Sequence, residues 1–199
     1  MHMTLPRPHR GRPRRLRRLI VLPVLAAALV FGALAGGRSV SAADLAIEAF
    51  HGHFVGAGIS RTDASDYFGL TVRDFDVVIK PAGNGFSVAW TTVLREGGDP
   101  ENPNIRKKSA ELVFAPGPRA GIWQGTGSGD PLAGEPLAWA HIDGNSLVVH
   151  SMVIVDDGNY AMQTYRRTLT DLGMELKFIS VRSGETTRMV EGRLTKSAN

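Results

Sequence analysis

The feature that most constrains this chain is a series of turn signals set between stretches whose apolar residues recur at every second position. After residue 43, turns are marked by Ala82-Gly83-Asn84-Gly85, Asp143-Gly144-Asn145, Asp156-Asp157-Gly158, residues 170–173 and Ser183-Gly184-Glu185. Their spacing within the second half of the chain, roughly 10–15 residues, is that of hairpins. Asn-Gly tolerates the positive φ that tight hairpins need. Between the turns, residues 86–94 place Phe86, Val88, Trp90, Thr92 and Leu94 on one face. Met174, Leu176 and Phe178 alternate with Glu175 and Lys177 in the same way. Period two is the signature of a strand with one face turned to a core. Read this way, strands cover residues 53–60, 70–79, 86–94, 109–114, 121–126, 137–142, 146–155, 160–169, 174–182 and 187–196. A long polar loop is expected over 95–108, and one short helix over 44–50. No amphipathic helix separates the strands, which excludes βαβ units and a parallel sheet. A meander this long closes most simply on itself, because closure removes exposed edges. The expected fold is all-β, an antiparallel up-and-down β-barrel of about 8–10 strands in a single domain over residues 43–199.

Residues 1–42 read differently. They hold eight arginines and no acid, which leaves 15 Lys and Arg against 19 Asp and Glu in the remainder. The basic balance therefore belongs to the leader, and nucleic acid is not an expected partner of the folded part. The arginine-rich start to Arg18, the apolar residues 19–35 and the small residues Val40, Ser41, Ala42 and Ala43 make a signal peptide with cleavage after Ala42. An uncleaved anchor is the competing reading, since 17 apolar residues is the lower edge of a spanning helix. Arg14-Arg15 and Arg17-Arg18 permit a twin-arginine route as well as the general secretory one. The expected location is periplasmic or secreted. The absence of cysteine excludes a disulfide framework, thiolate metal sites, a catalytic thiol and a lipoprotein anchor.

Strand parity gives an inward set. Phe75, Val77 and Ile79 alternate with Asp74, Asp76 and Lys80, and the same register turns Arg73 inward. A single arginine on an apolar face is costly without a carboxylate, phosphate or solvent partner. It is read either as a ligand anchor or as a strand-end arginine that snorkels to water. Residues 146–155 are apolar on both faces, so a loop, the N-terminal helix or a second copy of the chain is expected to cover the outer one. Outward Asp74, Asp76, Glu175 and Lys177 argue against stable membrane insertion after cleavage.

The opening strand carries Gly52-His53-Phe54 with Gly56 and Gly58, follows a one- or two-turn helix, and leads a meander whose last strand holds Arg193. This resembles the calycin group, the lipocalins and their fatty-acid-binding-protein relatives, with Gly52 and Phe54 at the Gly-x-aromatic motif and Arg193 at the position of the late-strand arginine. The chain is also similar to exported bacterial proteins without an assigned activity. The calycin resemblance implies an internal cavity for a small apolar or amphipathic ligand and no cofactor. That cavity would be lined by Arg73, Phe75, Val77, Val88, Trp90, Met174, Leu176 and Phe178.

Other constellations carry less. His51 and His53 share a face if extended, yet a metal site needs a third ligand. With a two-residue Gly144-Asn145 loop, His141 opposes Val148, His150 opposes Trp139, and both imidazoles share a face. The glycine-rich residues 125–130 lack a Gly-Lys-Ser/Thr ending and a following helix, so they read as a loop. No catalytic set and no metal site is assigned. Three functions compete: a carrier or sensor of a small apolar or acidic molecule, a structural or partner-binding envelope protein, and a barrel enzyme whose histidines face the lumen.

Overall fold

Each alternating run becomes a strand, and each strand pairs antiparallel with its chain neighbours. In the computed structural model, residues 43–62, 70–95 and 103–198 are described. The leader with its expected cleavage point, and residues 96–102 of the expected loop, lie outside the described residues. The strands are β1 (Gly52–Arg61), β2 (Leu70–Ala82), β3 (Gly85–Arg95), β4 (Ile105–Pro116), β5 (Ile122–Gly125), β6 (Leu137–Asp143), β7 (Ser146–Ile154), β8 (Tyr160–Thr170), β9 (Gly173–Arg182) and β10 (Glu185–Lys196). They follow one another round a closed barrel in which β10 returns to pair with β1. The up-and-down barrel expected from the alternation is therefore the fold.

Three local expectations are corrected. The helix over 44–50 is a single 3-10 turn, Ile47–Phe50, because so short a segment cannot repay helix nucleation. β4 starts at Ile105 rather than 109, since Arg106, Lys107 and Lys108 pair with Leu94, Val93 and Thr92. The turn expected at Ala82-Gly83-Asn84-Gly85 is found: Ala82 pairs with Gly85, and the positive φ of 57° falls on Gly83 rather than on Asn84. A glycine at the first loop position is the pattern of a type II′ hairpin. Arg193 does not back the first strand. Its side chain is 90% exposed and lies 3.6 Å from Glu175 on the outer wall. The cation near Phe54 is Lys196, whose Nζ stands 5.7 Å from the ring centroid.

The two ends of the barrel differ. At the base, Phe50, Phe54, Phe86, Phe114, Leu147 and Met174 are each at most 1% exposed. Phe86 stacks on Phe114 at 5.1 Å and meets the edge of Trp123 at 5.6 Å. Phe50 brings the 3-10 turn into this cluster. The segment before it is tied to the β6–β7 turn, with Leu45 N–H donating to the Gly144 carbonyl at 2.9 Å and Asp44 Oδ1 accepting from Gly144 N–H at 2.7 Å. At the other end, the mouth, pairing thins out. β4 meets β5 only through Phe114–Gly125, Ala115–Gln124 and Pro116–Trp123, and β5 meets β6 only through three pairs. Residues 105–112 of β4 have no described strand beside them on that edge. Lys108 and Ala110, which share the inner face with Thr92 and Trp90, are consequently exposed.

Candidate functional site

The base is filled with side chains; the mouth half is not. A cavity of about 130 Å³ is lined by inner-face residues of six strands. β2 supplies Arg73, Phe75 and Val77, β3 Trp90 and Thr92, β4 Lys108, β8 Tyr165 and Arg167, β9 Leu176 and Phe178, and β10 Arg188 and Val190. Tyr165 joins the aromatic wall, its ring centroid 5.1 Å from Trp90 and 4.6 Å from Phe178.

Arg167 sets the chemistry. The β8 register places it opposite Leu147 and Leu176, both core residues, and it is only 1% exposed. Its Nε and Nη1 are buried with no hydrogen-bond partner. Its guanidinium carbon lies 5.7 Å from the Trp90 centroid and 5.1 Å from that of Tyr165, within cation–π reach. Burial pushes its pKa down to about 10, which leaves it charged at neutral pH. A buried charge without a partner is among the costlier features a fold can carry. Burial also raises the Tyr165 hydroxyl, an effect opposed by Arg167 and Arg188. Arg73 is half-buried, and its pKa is lowered by burial and then by Arg188. Three arginines and a lysine thus face one small space, and among the described residues lining it there is no carboxylate. Such a site favours an anionic group on an apolar body.

Of the residues expected from strand parity, Arg73, Phe75, Val77, Trp90, Leu176 and Phe178 line this cavity. Val88 and Met174 also face inward, but they belong to the filled base at 0% and 1% exposure. Parity puts Thr92 on the Trp90 face, but it does not single out Tyr165, Arg167, Lys108 or Arg188 as lining residues. β8 reads Gln163-Thr164-Tyr165-Arg166-Arg167, without apolar alternation to say which arginine turns in. The signal available was indirect: the hairpin to β9 pairs Arg167 with Leu176.

The histidines lie elsewhere. His141 opposes Val148 and His150 opposes Trp139, as the two-residue loop requires. Ala140 and Val149 between them belong to the core, so the imidazoles sit on the outer wall. There His150 stacks on Trp139 at 4.8 Å and on His141 at 5.5 Å, and its Nδ1 is 3.0 Å from Thr164 Oγ1. Val148, flanked by His141 and Arg166 as its cross-strand neighbours, is only 2% exposed. Neighbouring side chains of the same barrel therefore cover part of the apolar outer face of β7. His53 is also outward, 3.0 Å from Asp76. His51 stands before β1, at the C-terminal cap of the 3-10 turn, so the two histidines do not share a strand face. Among the described residues, no group of three or more His, Asp or Glu side chains is arranged to hold a metal ion.

Burial, then His141 and Arg166, lower the pKa of His150. The unfolded chain therefore takes up a proton at this residue before the folded one does, and stability falls as pH drops through the ordinary imidazole range near 6.5. His150→Asn is expected to flatten the decline in melting temperature between about pH 7.5 and pH 5. Equal slopes for variant and parent would remove His150 as the cause.

Compared with known proteins, the chain matches no family model. No curated protein shows a significant match to it.

Proposed function

We propose that this barrel is an exported binding protein whose lumen takes up a small amphipathic acid, with the acid group on Arg167. The observation that carries this reading is the fully buried Arg167, two of its nitrogens unpartnered, at the edge of an aromatic-walled cavity. The bound carboxylate would supply the missing hydrogen bonds, each charge-assisted and worth about 1.5–3 kcal/mol. Size narrows the choice. A cavity of about 130 Å³ is close to the roughly 150 Å³ that accommodates benzene, so a single ring or a short chain fits and a long-chain fatty acid does not. The leader composition supports export, and the outward charges Asp76, Glu175, Lys177 and Glu191 support a barrel bathed in water rather than lipid.

Native mass spectrometry of protein from the envelope fraction of its own host tests both parts. The expected result is a chain beginning at Ala43 that carries a small acid, released on denaturation. A mass that includes residues 1–42 would overturn cleavage after Ala42 and favour an uncleaved anchor. A ligand-free protein that also binds no single-ring or short-chain acid offered to it would overturn the lumen site.

A further inference from the structure

We propose that Arg73, Arg188 and Lys108 form a second anion subsite at the mouth, so that the ligand is a small dicarboxylate with an apolar middle. This rests on the lumen-binding reading and specifies its ligand class.

Two levels of cation line one cavity. Arg167 stands opposite Leu176 and Arg188 opposite Ser180, four residues further along β9. That is about 13 Å of strand, with the Tyr165–Phe178 pair between the two levels. Arg73 is opposite Leu94, at the mouth end of β2 and β3, and Lys108 is opposite Thr92. The stretch between the levels is apolar and aromatic: Phe75, Trp90, Tyr165 and Phe178. A ligand complementary to this surface is anionic at both ends and apolar in the middle.

The backbone gives a second, independent observation. β10 is irregular beside Arg188, where the register to β9 shifts between Thr186 and Arg188. The extra residue, Thr187, donates its hydroxyl to the Ser180 carbonyl at 3.2 Å. Bulges of this kind re-aim a side chain at the rim of a barrel and recur beside binding sites. Here the bulge falls next to the residue that turns an arginine into the lumen.

Charge balance among the described residues points the same way. A monocarboxylate on Arg167 leaves the three mouth cations lining the cavity with no carboxylate among its described lining residues, and Arg188 lowers the pKa of Arg73 after burial does. A second carboxylate relieves the repulsion between them. The alternative role of the mouth cations is to steer any small anion inward; that would speed association without preferring two charges over one.

The test compares matched acids at constant ionic strength: benzoate against terephthalate, and hexanoate against adipate. Phthalate, with adjacent carboxylates, serves as the geometric control. Binding is read from Trp90 emission in a Trp123→Phe, Trp139→Phe background and repeated by calorimetry on the parent protein. Terephthalate and adipate are expected to bind at least about tenfold more tightly than their monoacids, a difference of about 1.4 kcal/mol. Phthalate should bind like benzoate. Arg73→Gln and Arg188→Gln should each remove most of the dianion preference, bringing the terephthalate-to-benzoate and adipate-to-hexanoate affinity ratios to within about threefold of one. Both side chains lie outside the buried core, and unchanged melting curves would confirm intact barrels. Equal affinities for mono- and diacids, or an undiminished ratio in the mouth variants, would overturn the second subsite and leave the Arg167 site standing. No binding by either class would overturn both.

Discussion

Replacing Arg167 with methionine is expected to abolish acid binding and, at the same time, to make the ligand-free protein more stable. Burial lowers its pKa from the usual arginine range to about 10, a penalty of about 3 kcal/mol for holding the charged form in the fold. Loss of the cation–π contacts to Trp90 and Tyr165 returns about 1 kcal/mol of this. The net gain is therefore about 2 kcal/mol, or a rise in melting temperature of about 4–8 °C for a domain of this size. Buried ionic groups replaced by apolar ones of similar volume behave in this way elsewhere. Saturating ligand should reverse the order, because the parent protein gains stability by binding and the variant does not. Thermal unfolding by circular dichroism, with and without a small carboxylate, reads both effects. A variant that melts lower than the parent without ligand would mean that Arg167 is a structural cation and not an anchor awaiting an anion.

The largest loss of stability is expected at the base. Phe86 is fully buried and contacts Phe114 and Trp123 ring to ring. Phe86→Ala should cost about 3–5 kcal/mol, the range for removing an aromatic ring from a rigid core. Phe75 at the cavity wall is 7% exposed and borders open space, so Phe75→Ala should cost clearly less, about 2 kcal/mol. Urea unfolding of the two variants gives the comparison directly. Equal losses would show that the mouth half is packed as tightly as the base.

The difference between the two halves also explains what could be read from the sequence. The barrel was legible because hairpin chemistry and period-two alternation agree along β2, β3 and β9. Register followed wherever one face was apolar, and Arg73 was recognisable because its neighbours Phe75, Val77 and Ile79 fix its parity. Arg167 was not, because β8 mixes polar residues on both faces and only tertiary pairing decides which of two adjacent arginines is buried. The basic run at 106–108 looked like loop for a related reason. Lysine and arginine are poor strand formers in isolation, and pairing with β3 overrides that preference. The separation of Val88 and Met174 from the cavity was equally hidden. Parity says which residues face the lumen, but the depth to which the lumen is filled depends on ring size at Phe54, Phe86 and Phe114 and on Phe50, which lies outside the alternating strands.

The ring is closed strongly where the chain ends meet and weakly in mid-chain. β1 and β10 share eight residue pairs, and Ser197 N–H donates to the His53 carbonyl at 2.8 Å just beyond them. A chain made from its N-terminus delivers β1 first and its second partner last. β1 can recruit β2 early, but its other edge stays open until residues 189–196 have been added. The strong join is thus timed by the end of synthesis, and the short mid-chain β5 has only to settle between neighbours that are in place. This ordering keeps the sheet an open ribbon while the chain grows and makes closure the final event.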